Sequence, residues 1–201
     1  MKYLVYGDTE INYLKAQDAR LGEVIDEMGI IQRAIEPDPF ESLIGSIISQ
    51  QISKKAAETV SGRFYDLLDK SITPEAIIST GVDAIQGCGM SLRKAGYIMG
   101  IAEAAITGEV DFAGLHLLPD KEVIIKLTTL KGVGVWTAEM LLLFSLQRPD
   151  IVSYGDFAIR KGMMALYELG DLPRNTFQEY AQKYSPYGSV ASLYLWALAG
   201  Q

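Results

Sequence analysis

Leu130-Lys131-Gly132-Val133-Gly134-Val135-Trp136-Thr137-Ala138-Glu139 is the stretch of this chain that carries the most information. Two glycines two positions apart stand between helical patterns at 121–129 and 137–146. Glycine lets the backbone turn sharply with no side chain in the way. The amides at such a turn, and at the start of the helix that follows, point outward with no carbonyl partner within the helix. The helix dipole adds partial positive charge at the same place. The bend can therefore hold an anion through Gly132, Val133, Gly134 and Thr137, with Lys131 beside it. Taken alone, the same pattern also describes an ordinary glycine-rich connection between two helices.

Working outward, helical spacing dominates. Leu21, Val24, Ile25 and Met28 recur at i, i+3, i+4 and i+7, which predicts a helix over 18–29. Asp38-Pro39-Phe40 opens another, with Pro at the first helical position and Leu43, Ile44, Ile47 and Ile48 following. Ser53 caps a helix over 54–68, Thr73-Pro74-Glu75 opens a short one, and Ser91 caps one over 92–107 after the turn at 87–91. Patterns at 157–169, 174–184 and 189–198 complete the set. Only residues 3–6 look like a strand. The expectation is an all-α fold of about ten helices.

Composition narrows the class. The chain has 201 residues, is 49% hydrophobic and 21% charged, and so can build a substantial core without covalent staples. One cysteine, Cys88, excludes an internal disulfide, a cysteine-rich zinc site and a four-cysteine iron–sulfur cluster. One histidine, His116, excludes a site of several imidazoles. Both read as packing or loop residues. No apolar run reaches the length of a membrane span, and the first residues reach Asp8 too early for a signal peptide. The expected compartment is the cytoplasm, with nucleoid association in a bacterium or archaeon. The net charge of −7 excludes nucleic-acid binding through a broad basic patch. The acid is concentrated at the front: residues 1–46 carry four basic and nine acidic side chains, whereas 121–170 carry six and five.

A second stretch changes the weight of the first. Beyond Trp136 comes Ser153-Tyr154-Gly155-Asp156-Phe157-Ala158-Ile159-Arg160-Lys161, with Asp156 twenty residues on. Together with Pro39-Phe40-Glu41, Ile47-Ile48-Ser49-Gln50-Gln51-Ile52-Ser53-Lys54-Lys55, Ser91-Leu92-Arg93-Lys94-Ala95 and the segment from Pro186-Tyr187-Gly188-Ser189 to Trp196, it resembles the helix–hairpin–helix DNA glycosylase superfamily. The alkylpurine (3-methyladenine) glycosylase II branch is the nearest, in a short form lacking the N-terminal β domain. The resemblance implies two helical lobes with the active-site cleft between them. One lobe would be 36–148, including the hairpin 130–137; the other would be 1–35 with 149–201. Three features set this chain apart. Trp136 stands where bifunctional relatives carry a nucleophilic lysine, which implies no lyase chemistry. The four-cysteine cluster of the endonuclease III branch is absent. Tyr154-Gly155 replaces the Pro-acid pair that precedes the catalytic Asp in many alkylpurine members.

The resemblance assigns roles. A base in a duplex must be flipped out before its glycosidic bond can be reached. Gln51, or Ile52 as the apolar alternative, is placed as the wedge that fills the gap. A solvated loop glutamine is the plainer reading of the residue alone. Asp156 is the carboxylate expected to stabilise an oxocarbenium-like sugar and to orient water. An Asp before a helix is also an ordinary N-cap, and one residue can do both. Trp136 and Trp196, with Met140, Tyr65 and Phe157, are the expected aromatic base pocket, suited to cationic alkylated purines; both tryptophans read equally well as core. Backbone carbonyls of Thr128, Leu130 and Val133 are the expected ligands of a structural Na+ or K+. Lys126, Lys131, Arg160 and Lys161 could add phosphate contacts. No cofactor is expected to be required, nucleotide or other. The expected partner is damaged double-stranded DNA, with no membrane, and the expected state is monomeric. Alternatives are a glycosylase for 8-oxoguanine, uracil or a mismatch, a non-catalytic DNA-binding hairpin module, and a plain helical interaction domain.

Overall fold

A computed structural model describes residues 2–200. Its chain divides into two units: residues 1–35 with 142–201, and residues 36–141. The second boundary falls at 141/142, inside a helix, rather than at the expected 148. Among the described residues there are twelve α-helices, one 3-10 turn and a pair of two-residue strands. The fold is all-α. Two of the helices, Asp8–Gln17 (α1) and Val82–Gly87 (α6), were not expected. Both are poorly marked in sequence. A glycine precedes each, and neither has a side-chain cap bond; in α1 the Glu10 carboxylate instead accepts from the Gly7 amide at 2.8 Å. The expected strand at 3–6 shrinks to Lys2–Tyr3, paired antiparallel with Ala34–Ile35.

The unit 36–141 holds α3 (Pro39–Ser49), α4 (Lys54–Leu67), α5 (Pro74–Thr80), α6, α7 (Leu92–Ile106), the 3-10 turn Ala113–Leu117, α8 (Asp120–Thr128) and the start of α9 (Val135–Phe144). The apolar face of α3 (Phe40, Leu43, Ile44, Ile47 and Ile48) is fully turned inward, and Phe40 meets Phe112 edge-on at 5.3 Å. Caps come where the sequence marks them. Asp38 accepts from the amides of Phe40 and Glu41, Ser53 from Ala56, Thr73 from Ala76 and Ser91 from Lys94. Cys88 is buried, its thiol facing the Ala84 carbonyl, and burial pushes its pKa up while Arg63 works against that. His116 is exposed on the 3-10 turn, with its Nδ1 on the Ala113 carbonyl at 2.7 Å.

The unit 1–35 with 142–201 holds α1, α2 (Ala19–Met28), α10 (Phe157–Tyr167), α11 (Arg174–Tyr184) and α12 (Gly188–Ala199). Its core is built from Leu14, Leu21, Ile25, Ile159, Met163, Phe177, Tyr194 and Leu195. Helices α10 and α12 cross at Gly162, where any Cβ would overlap the Leu195 carbonyl. Asp18 caps α2 through the Leu21 amide at 3.0 Å and also accepts from the Tyr167 hydroxyl at 2.6 Å. Tyr184 bonds Tyr167 at 2.8 Å, and the Lys183 ammonium lies 3.4 Å from Asp18.

Candidate active site

In the unit 36–141, the hairpin begins where α8 ends. The Leu130 carbonyl accepts from the Val133 amide at 3.1 Å, closing the turn. Gly132 has φ +89°, which favours glycine, and the Tyr97 ring of α7 lies against it where a Cβ would have to go. Gly134 precedes α9, and its carbonyl accepts from Ala138. Helix α9 therefore starts at Val135, two residues earlier than expected, so the first-turn amides belong to the hairpin itself. Lys131, Gly134, Val135 and Trp136 are exposed, whereas Val133 and Thr137 are buried.

The α3–α4 loop meets this hairpin. Gln50 donates its side-chain amide to the Gly132 carbonyl at 3.1 Å. Gln51 follows with φ +57° and is exposed, as is Ile52. Between loop and hairpin lies a cavity of about 350 Å³ lined by Ser46, Ser49, Gln50, Gln51, Trp136, Thr137 and Met140. That volume is in the range of small-ligand sites. Trp136 is 44% exposed, so its ring is a wall of the cavity and not a core side chain.

In the other unit, Asp156 stands at the N-cap of α10. Its Oδ1 accepts from the Ala158 amide at 2.8 Å and the Ile159 amide at 2.9 Å, and the residue is only 7% exposed. These bonds fix the carboxylate's rotamer. The preceding Tyr154 is held too: it meets Phe177 edge-on at 5.1 Å, and the guanidinium carbons of Arg160 and Arg174 lie 5.2 and 5.6 Å from its ring centre. Trp196 stacks on Phe144 at 5.5 Å, with the Arg33 guanidinium 5.8 Å from its ring centre.

Residues 44–186 match the model of the HhH-GPD superfamily of base excision DNA repair proteins. The chain belongs to that family. The HhH-GPD chain is 36% identical over 163 residues to DNA-3-methyladenine glycosylase 1 of Schizosaccharomyces pombe, covering 79% of this chain and 72% of that protein. The crystal structure of a DNA-3-methyladenine glycosidase from Bacillus halodurans superposes with a TM-score of 0.88 at 38% identity, covering 100% of this chain and 94% of the other. The Schizosaccharomyces pombe 3-methyladenine DNA glycosylase Mag1, solved in complex with abasic DNA, gives 0.81 at 31% identity, covering 94% and 95%.

Of the residues expected in this HhH-GPD site, Gln51, Trp136, Thr137 and Met140 share one cavity, and Gly132 is bonded to its rim. Tyr65 is not among the lining residues. It is 43% exposed on α4, because Val60 and Phe64 take the inward face and the residue after Phe64 turns outward. Phe157 is 72% exposed: it is the first residue of α10, whose inward face belongs to Ile159 and Met163. Neither lines the cavity between the α3–α4 loop and the hairpin. Lys161 is not a free surface cation, since its ammonium donates to the Ala199 carbonyl at the end of α12 at 2.6 Å. The cation ligands expected at Thr128, Leu130 and Val133 are neutral carbonyls. Among the described residues, no group of three or more His, Cys, Asp or Glu is placed to hold a metal. That chemistry suits a monovalent ion better than a divalent one. Sequence reasoning missed Ser46, Ser49 and Gln50 as cavity residues. Ser49 and Gln50 flank the helix end where the chain reverses, and only the doublet Gln50-Gln51 hinted at a polar rim.

Proposed function

We propose that this protein is a monofunctional DNA glycosylase that flips alkylated purines out of duplex DNA and hydrolyses their N-glycosidic bond. The observation that carries the reading is similarity, over most of the chain and at 36–38% identity, to proteins named as 3-methyladenine glycosylases. The hairpin amides around Gly132 and Gly134 hold a strand phosphate without needing basic side chains, which accommodates the chain's net charge of −7. Bound at the Thr128, Leu130 and Val133 carbonyls, a Na+ or K+ would add fixed positive charge beside that phosphate. Gln51 fills the vacated stack. Trp136 and Met140 offer a polarisable wall that attracts a cationic purine.

Alkylation at N3 or N7 has already weakened the glycosidic bond, so little acid catalysis of the departing base is needed. As the bond breaks, positive charge develops on the sugar. The Asp156 carboxylate, oriented by the Ala158 and Ile159 amides, stabilises that charge and directs water to the anomeric carbon. With Trp136 at the position of a nucleophilic lysine, no Schiff base forms and the product is an intact abasic site. The test is base release from duplexes holding 7-methylguanine, a 3-methyladenine analogue, hypoxanthine, uracil or 8-oxoguanine. Wild type should release the alkylated purines, with Asp156→Asn slower by at least ~100-fold yet still bound to abasic-site DNA. An Asp156→Asn enzyme with wild-type rates would remove Asp156 from the mechanism.

A further inference from the structure

Lys94 is the third residue of α7. A cation in a helix's first turn opposes that helix's dipole. Its ammonium instead reaches the end of α3, donating to the Ile48 carbonyl at 2.8 Å and the Gln50 carbonyl at 2.5 Å. There the charge meets the negative end of a dipole, on carbonyls that have no amide partner within the helix. No acidic side chain shares it among the described residues. Burial holds the lysine's pKa below its ordinary value, and the ammonium donates to the Ile48 and Gln50 carbonyls. Where a helix ends on a left-handed residue, that residue is usually glycine. Here the reversal falls on Gln51, a residue with a side chain at φ +57°, a strained conformation that persists only where the surroundings hold it. The neighbouring Gln50 is fastened to the hairpin at Gly132.

We propose that Lys94 is a positioning residue for base flipping: it clamps the end of α3 so that the loop presents Gln51 in its gap-filling conformation, while Gln50 keeps the loop in register with the strand-gripping hairpin. This rests on the reading of Gln51 as the residue that fills the vacated stack. A preset plug costs less entropy when the nucleotide leaves the helix than a loop that must be ordered at that moment. The advantage applies to a paired lesion. It fades for an extrahelical lesion in a single-nucleotide bulge, where no partner base is orphaned.

Single-turnover base release is measured on 7-methylguanine in a paired duplex and in a bulge. Gln51→Ala should lose roughly 10-fold on the paired substrate and less than about 3-fold on the bulge. Lys94→Met should reproduce that pattern, and the double variant should be no slower than the worse single. Lys94→Gln, which keeps one donor for the same carbonyls, should fall between wild type and Lys94→Met, and it is read in the same way if Lys94→Met does not fold. Wild-type rates for Gln51→Ala on paired DNA would remove the plug and, with it, the proposal. If Gln51→Ala is slow, three results overturn the role of Lys94 alone: equal losses on both substrates, wild-type rates for both Lys94 variants, or multiplying losses in the double variant.

Discussion

Gly132 is the residue whose backbone the site can least change. Its φ of +89° is strained for any side chain, and the Tyr97 ring fills the space a Cβ would need. Gly132→Ala should cost about 2–4 kcal/mol, through backbone strain and displacement of the ring. It should also weaken binding to abasic-site DNA, because the turn amides and the Gln50 bond move together. Urea unfolding and a fluorescence titration measure the two losses; a stable variant with unchanged affinity would mean the bend tolerates other geometries. Gly134, two residues on, has open space at its Cβ and no positive φ, so the paired glycines of the motif are not equivalent.

At the scale of elements, three of the candidate residues sit where one secondary structure ends and another begins: Gln51 after α3, Trp136 in the first turn of α9 and Asp156 before α10. Helix ends expose unpaired backbone groups, and those groups orient what the site needs. The ends must in turn be fixed by helix packing. The α10–α12 crossing does this for Asp156, and Gly162 permits it by leaving room for the Leu195 carbonyl. Gly162→Ala should destabilise the protein by about 3 kcal/mol, since the obstacle is backbone and cannot rotate away. Thermal melting would show the loss. A variant of unchanged stability would mean that the two helices can separate at no cost.

For the whole molecule, stability in acid depends on Asp18, which ties α2 to α10 and α11. Burial alone would raise its pKa. The Tyr167 hydroxyl, the Leu21 amide and Lys183 outweigh burial and hold it below the ordinary 3.8. A carboxylate with a depressed folded pKa contributes stability that is complete above the unfolded value and lost as pH falls through the folded one. Wild type should exceed Asp18→Asn by about 2 kcal/mol at neutral pH. That gap should stay constant down to about pH 5 and narrow below pH 4. Urea unfolding between pH 3 and 7 checks it, and a gap independent of pH would show the charge to be irrelevant. The same cluster pushes the pKa values of Tyr167 and Tyr184 well up, chiefly through burial, so both remain hydroxyl donors across this range.

The sequence by itself determined the all-helical class, most helix starts, the hairpin, and the acid that caps α10. These are local matters: capping side chains, glycine spacing and a 3.6-residue apolar period act within a few residues of where they are written. Tertiary structure alone decided which aromatics line the cavity beside the hairpin. Tyr65 and Trp136 both look like pocket residues in a string of letters, yet the direction of a side chain depends on which face of its helix the core takes. It also decided that Lys94 serves another helix's end and that Gln50, rather than only its neighbour, joins loop to hairpin. Those bonds link residues 44 to 82 positions apart, and no local preference can specify a partner at such a distance.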